Sequence, residues 1–162
     1  MTAAIANALR PVDGLNVRVL VDNVTDSLST VPQGVMHEWG HLNANGNLVL
    51  SGEALCCAAF GLSLVMTARL GNAHHVLLFD AGPEAYAVSR NGDRLKIAFA
   101  DIGAIVLSHG DWDHAGGLVE AINAAPAGAP FPRCPEFSKT MSLCLARWVA
   151  GLASSGYGVR LR

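Results

Sequence analysis

The sequence predicts an α/β fold in which helices are layered on a mixed β-sheet. Three observations predict it. Short β-branched or apolar runs alternate with stretches of helical pattern. The Gly71-Asn72 pair joins two such runs, so at least one pair of strands is an antiparallel hairpin. The run "IGAIVLS", residues 102–108, is continuously apolar, the pattern of a strand buried on both faces.

The elements follow in order. "VRVLVD", 17–22, alternates and is β-branched, which predicts a strand. Residues 23–34 have turn and loop chemistry, and 36–47 are polar and rich in Asn and Gly. "SGEALCCAAFG", 51–61, fits a short helix with Ser51 as N-cap and Gly61 at its end. "LSLVMTARL" and "HVLLFDAG" are the hairpin strands, 62–70 and 75–82. "PEAYAVSRNG", 83–92, reads as a helix opened by Pro83 and closed by Asn91-Gly92. The buried strand 102–108 comes next, then a helix in "GGLVEAINAA", 116–125, ended by "APAGAPFP". No internal repeat is present.

Composition removes several classes of function. The chain of 162 residues is 51% hydrophobic and 15% charged, which argues for one packed domain rather than disorder. A net charge of −2 gives no basic field for nucleic acid. No apolar run reaches the ~20 residues of a membrane span, and the start lacks the pattern of a signal peptide. Cys56, Cys57, Cys134 and Cys144 show no CxxC spacing and are expected to be reduced thiols. A cytoplasmic location is the expectation, with a small-molecule substrate and no nucleic-acid or membrane partner.

Residues 1–131 are expected to form the domain. From Pro132 to Arg162 there are five basic residues and one acid, Glu136, and no strand of core character. This stretch, 132–162, is expected to be an atypical basic tail, foreign to the domain or disordered.

"LSHGDWDHAGGL", 107–118, concentrates the chemistry. His109, Asp111, Asp113 and His114 fall within six residues, directly after the buried strand. Strand ends are rigid and the loops beyond them are open, so ligands placed there are both held and reachable. His109 and Asp111 alternate and can project to one side, whereas the adjacent Asp113 and His114 diverge toward two neighbouring metal positions, with a helix beginning after them. Imidazole with carboxylate suits Zn, Mn or Fe. Gly116 and Gly117 allow close approach of backbone to a ligand or to the sheet. Trp112, inside the loop, suits either a substrate pocket or packing beneath the loop.

The stretch resembles the H-x-H-x-D-H signature of the metallo-β-lactamase superfamily of hydrolases. "LLFDAG" resembles that superfamily's strand-ending Asp-x-Gly. "VRVLVDN" and Gly61-Leu62-Ser63 resemble segments of the branch named for dihydropterin-related metallo-hydrolases. The likeness runs from about Val17 to Ala125. It implies half of an αββα sandwich and a pair of divalent metals, zinc foremost, with manganese or iron as alternatives. It also implies hydrolysis of an ester, lactone or phosphoester by metal-activated water. Carried over by position, His109 and Asp111 would hold one metal and Asp113 and His114 the other. Asp113 would also take a proton from the attacking water, and Asp80 would orient the site from a neighbouring strand.

This chain departs from the pattern in three ways. Asp111 stands where the branch has His, which makes the site more anionic and favours Mn or Mg relative to Zn. Phe60 stands where the branch has His before Gly61. After His114 there is no His and no Asp, whereas the superfamily's second half supplies further ligands. The sequence reading is therefore of the N-terminal half, its activity impaired by truncation. The alternative is a non-catalytic remnant or a subunit completed by a partner, self-associating through an uncovered sheet edge.

A rival motif is "HEWGH", His37 to His41, formally the H-E-x-x-H of zinc proteases. Pro32, Gly34, Gly40, Asn43, Asn45, Gly46 and Asn47 crowd it, so a solvated loop is expected there.

Overall fold

The computed structural model describes residues 11–26, 28–46 and 49–125. The expected tail, the boundary at Phe131, Cys134 and Cys144 lie outside the described residues.

Four strands form one mixed sheet in the order β1 (Gly14–Val21), β2 (Ser63–Leu70), β3 (Ala73–Phe79) and β4 (Ile102–Val106). β1 and β3 both run antiparallel to β2, and β4 runs parallel to β3. The α/β class is as the sequence predicts, and the Gly71-Asn72 hairpin is present, pairing Leu70 with Ala73. A parallel neighbour needs a crossover, and α2 (Ala85–Arg94) supplies it between β3 and β4. α1 (Glu38–Ala44) precedes β2; α3 (Trp112–Ala115) and α4 (Leu118–Ala124) follow β4.

Alternation divides the sheet into two faces. The row Arg18, Val65, Leu78 and Ile105 lies on one face. There Val65, Leu78 and Ile105 join Leu20, Ile102, Val88 of α2, and Leu118 and Ala121 of α4 in the core. The rows Val17–Met66–Leu77–Ala104 and Val19–Leu64–Phe79–Val106 lie on the other face. On that face Leu15, Val17 and Val19 are exposed and their β2–β4 neighbours in these rows are half-buried. Among the described residues no element covers it as α2 and α4 cover the core face, and β1 and β4 each have one free edge.

Four expectations are corrected. β4 is not buried on both faces: Ile102 and Ile105 are buried, but Gly103 is exposed and Ala104 and Val106 are half-buried. α2 does not close at Asn91-Gly92 but runs through it to Arg94. The reason is tertiary. The buried Asn91 amide donates to the carbonyls of Leu20 (2.8 Å) and Cys57 (3.0 Å), and its oxygen accepts the Cys57 N–H (2.9 Å). Residues 51–61 form one turn rather than a helix. Ser51 caps Ala54 as expected, but the N–H groups of Cys56 and Cys57 bond to the side chains of Glu38 and Asn91, so no helical ladder propagates. The fourth correction is "HEWGH", which is not a loop. Glu38 to His41 open α1, and Leu42 buries on its inner side. Neighbouring structure outweighs weak propensity in each of the last three cases.

Candidate metal centre

The loops that follow β1, β3 and β4 leave the same end of the sheet, because those three strands share a direction. The candidate residues gather there, outside the carboxyl ends of the strands, where open α/β sheets place ligands. Asp80 directly follows β3, Ser108 and His109 follow β4, and α3 carries Trp112, Asp113 and His114. The helix begins at Trp112 rather than after His114, so two of the four candidate ligands sit on its single turn.

Asp80 is fully buried and is the hinge of the site. Its Oδ1 accepts the Ser108 N–H (2.7 Å), and its Oδ2 accepts the Ser108 hydroxyl (2.7 Å) and faces His114 Nδ1 (2.7 Å). A carboxylate only accepts, so His114 Nδ1 carries the hydrogen and Nε2 presents a lone pair outward. Asp80 holds φ at 57°, the left-handed region that Asp and Asn tolerate best after glycine. Ser63, also buried, donates its hydroxyl to the Asp80 carbonyl (2.8 Å) and helps hold that backbone.

α3 is stitched to this corner by main-chain bonds. Ala81 N–H donates to the His114 carbonyl (2.7 Å), Gly117 N–H to the Gly82 carbonyl (3.1 Å) and Leu62 N–H to the Asp113 carbonyl (3.3 Å). The glycines are needed at these crossings. A Cβ on Gly116 would stand 1.8 Å from the Pro83 carbonyl oxygen, and one on Gly117 2.3 Å from that of Ala81. Gly116 and Gly117 do permit a close backbone approach, but to residues 81–84 after β3 rather than to a ligand or to the sheet.

The four predicted ligands are placed unequally. His114 Nε2 lies 3.5 Å from Asp113 Oδ2, so these neighbours meet rather than diverge. The His109 ring stands edge-on to that of His114, centroids 4.1 Å apart. Asp111 lies 3.8 Å from His109 Nδ1 and is 80% exposed in its side chain. His114 and Asp113 are 20% and 23% exposed, His109 47%. Two donors are thus preset and two are on the surface with rotamers to choose. No group of three or more His, Cys, Asp or Glu side chains among the described residues stands arranged to hold a metal ion. The donor types fit a divalent cation, and Asp80–His114 has the carboxylate–histidine form that orients a ligating imidazole.

The sequence reading named Asp80 but missed Ser108 and Ser63. The available signal was position: one hydroxyl ends the apolar run 102–108 beside His109, and the other opens β2 beside Leu62. Trp112 does not pack beneath the loop: it is 59% exposed and stacks on Phe60, with centroids 5.7 Å apart and planes 20° apart.

"HEWGH" is built into the scaffold. His37 is the N-cap of α1. His41 Nε2 bonds to the Leu95 carbonyl (3.1 Å), which requires a hydrogen on that nitrogen, and Glu38 accepts the Cys56 N–H. A cleft of about 580 Å³ between β1 and α1 is lined by Glu38, His41, Cys56 and Asn91, among others, and by none of His109, Asp111, Asp113 or His114. His74 and His75 are exposed on β3, and Cys56 and Cys57 are free thiols packed against the core. No helix among the described residues is long and apolar enough to cross a membrane.

No curated protein matches the chain. The family model described as "Metallo-beta-lactamase superfamily" matches residues 62–129, the stretch that carries β2, β3, α2, β4, Asp80 and all four candidate ligands, and the mixed sheet with its helices is consistent with half of a fold of that type.

Proposed function

We propose that the chain is a metal-dependent hydrolase acting on an ester, lactone or phosphoester of small-molecule size. The observation that carries this reading is the buried Asp80 carboxylate bonded to His114 Nδ1, beside Asp113 and His109, within the stretch matched by the family model.

His109, Asp111, Asp113 and His114 would hold the divalent cations, zinc foremost, with manganese or iron as alternatives. A cation bound there supplies Lewis-acid polarisation of the scissile carbonyl or phosphoryl group and acidifies an attacking water. The chain's own residues do the rest. Asp80 fixes the tautomer and ring plane of His114 through Nδ1. Ser108 fixes Asp80 from two directions. Asp113, next to His114 Nε2, accepts a proton at a carboxylate oxygen. The Asp111 carboxylate makes the site more anionic than a neutral donor at that position would, so this residue biases the choice of metal toward Mn or Mg relative to Zn. The "VRVLVDN" and Gly61-Leu62-Ser63 segments favour the dihydropterin-related branch, and reduced Cys56 and Cys57 suit a cytoplasmic enzyme.

The test is hydrolysis of p-nitrophenyl acetate and bis(p-nitrophenyl) phosphate by the full chain, with and without added Zn²⁺ or Mn²⁺. Turnover that requires the ion and is lost in His114→Ala supports the reading. Absence of turnover with a stoichiometric ion bound overturns it and favours a non-catalytic role.

A further inference from the structure

The residues flanking the candidate centre include two large aromatic side chains that the core does not use. Phe60 is 65% exposed and Trp112 is 59% exposed. They stack on each other at 5.7 Å with nearly parallel planes. Each ring spends one face on the other and leaves area open to solvent. Exposed apolar residues scattered singly are ordinary, whereas contiguous ones form the kind of patch that marks a contact site.

Their position ties them to the site rather than to the sheet. Trp112 lies between Asp111 and Asp113 on the α3 turn. Phe60 precedes Gly61, and a Cβ on Gly61 would stand 2.0 Å from the Asp113 carbonyl oxygen, so the backbone next to Phe60 passes hard against α3. The Leu62 N–H bond to the same carbonyl closes that attachment. The segments that carry the two rings are thus joined to each other by main-chain contacts at Asp113.

We infer that Phe60 and Trp112 form a platform for a flat apolar ring of the substrate, which lies against them while its hydrolysable group reaches the His109–His114 loop. The inference rests on the reading of that loop as a hydrolytic centre. A flat ring gains offset stacking in addition to burial, whereas a saturated ring of the same size gains burial alone. Selectivity for planar over puckered rings is the signature.

The probes are 2-naphthoate and decahydro-2-naphthoate, which carry the same carboxylate on a flat and on a puckered bicycle. Binding of each to the full chain is measured by calorimetry in the presence of Zn²⁺, and bound zinc is counted separately. The expected result is tighter binding of 2-naphthoate, by about fivefold to tenfold. Phe60→Ala and Trp112→Ala remove most of that preference at unchanged zinc content, and Trp112→Phe retains it. Equal binding of the two acids, or a preference that survives both alanine variants, overturns the inference. So does sedimentation showing that Trp112→Ala dissolves an assembly of the chain, because the rings would then be an association contact. Zinc uptake without ring preference removes the platform and leaves the hydrolytic reading standing. Ring preference lost in the alanine variants, in a chain that takes up no zinc, removes the hydrolytic reading and leaves the platform.

Discussion

Asp80→Asn isolates the electrostatic role of the buried carboxylate from its shape. Asparagine is nearly isosteric and tolerates the left-handed backbone at φ 57°, so the substitution adds no conformational strain. Its one oxygen can still accept the Ser108 N–H in place of Oδ1. The amide nitrogen then replaces Oδ2 and faces the Ser108 hydroxyl and His114 Nδ1, each 2.7 Å away. The hydroxyl can reverse and accept. His114 must give up its Nδ1 hydrogen, which moves to Nε2, and the lone pair that faced the centre disappears. Three charge-assisted bonds become neutral ones; with hydrogen bonds to charged groups contributing about 1.5–3 kcal/mol each and neutral ones about 0.5–1.5, the expected loss of stability is about 3–4 kcal/mol. Urea unfolding followed by far-ultraviolet circular dichroism measures it. The expected loss of metal affinity is about 10–100-fold, by analogy with other outer-shell carboxylates, read by competition with a chromophoric chelator. Wild-type metal affinity in a variant that has lost stability would refute the claim that Asp80 sets the His114 tautomer.

Three further outcomes follow from the same structure. Asn91→Ala leaves the Leu20 and Cys57 carbonyls and the Cys57 N–H without their side-chain partner, and urea unfolding should show a loss of about 3–4 kcal/mol; a loss below about 1 kcal/mol would mean that water replaces the amide freely. Burial, and then the Glu38 carboxylate, push the Cys56 thiol well above its ordinary 9.0, so above pH 9 the unfolded chain releases a proton that the folded chain keeps. Stability should therefore fall as pH rises past 9, more steeply than in Cys56→Ala; parallel pH profiles would contradict this. The sheet side and edge of β1, with Leu15, Val17 and Val19 exposed, should drive self-association, so sedimentation should depend on concentration in the wild type and not in Val17→Lys; a wild type monomeric at all concentrations would count against it.

The hairpin, the crossover helix and β4 were legible because their signals are local. Alternation, a Gly-Asn turn and Pro83 each act within a few residues. What was not legible depends on distant partners. Asn91 and Gly92 look like a helix stop, but Asn91 is held inside α2 by the backbone of Leu20 and Cys57, more than thirty residues away in either case. Ser51 looks like a helix cap and is one, yet Glu38 and Asn91 take the N–H groups on which the next turn depends. The crowded "HEWGH" segment gains its helix from Leu42 burial and from the His41 bond to Leu95. At the candidate centre the motif singled out the candidate ligand types, and Asp80 was named through the resemblance of "LLFDAG" to the superfamily's strand-ending Asp-x-Gly. The meeting of Asp113 with His114, the clamp by Ser108 and the Phe60–Trp112 stack arise only when α3 is seated by the backbone bonds to Leu62 and Ala81.

The most direct test of the central claim is the number of divalent ions retained per chain after dialysis, measured by elemental spectroscopy on the wild type and on the double variant His109→Ala, His114→Ala. The account predicts at least one ion per wild-type chain and none in the variant. A wild type that retains no ion, or a variant that retains as many, would contradict it.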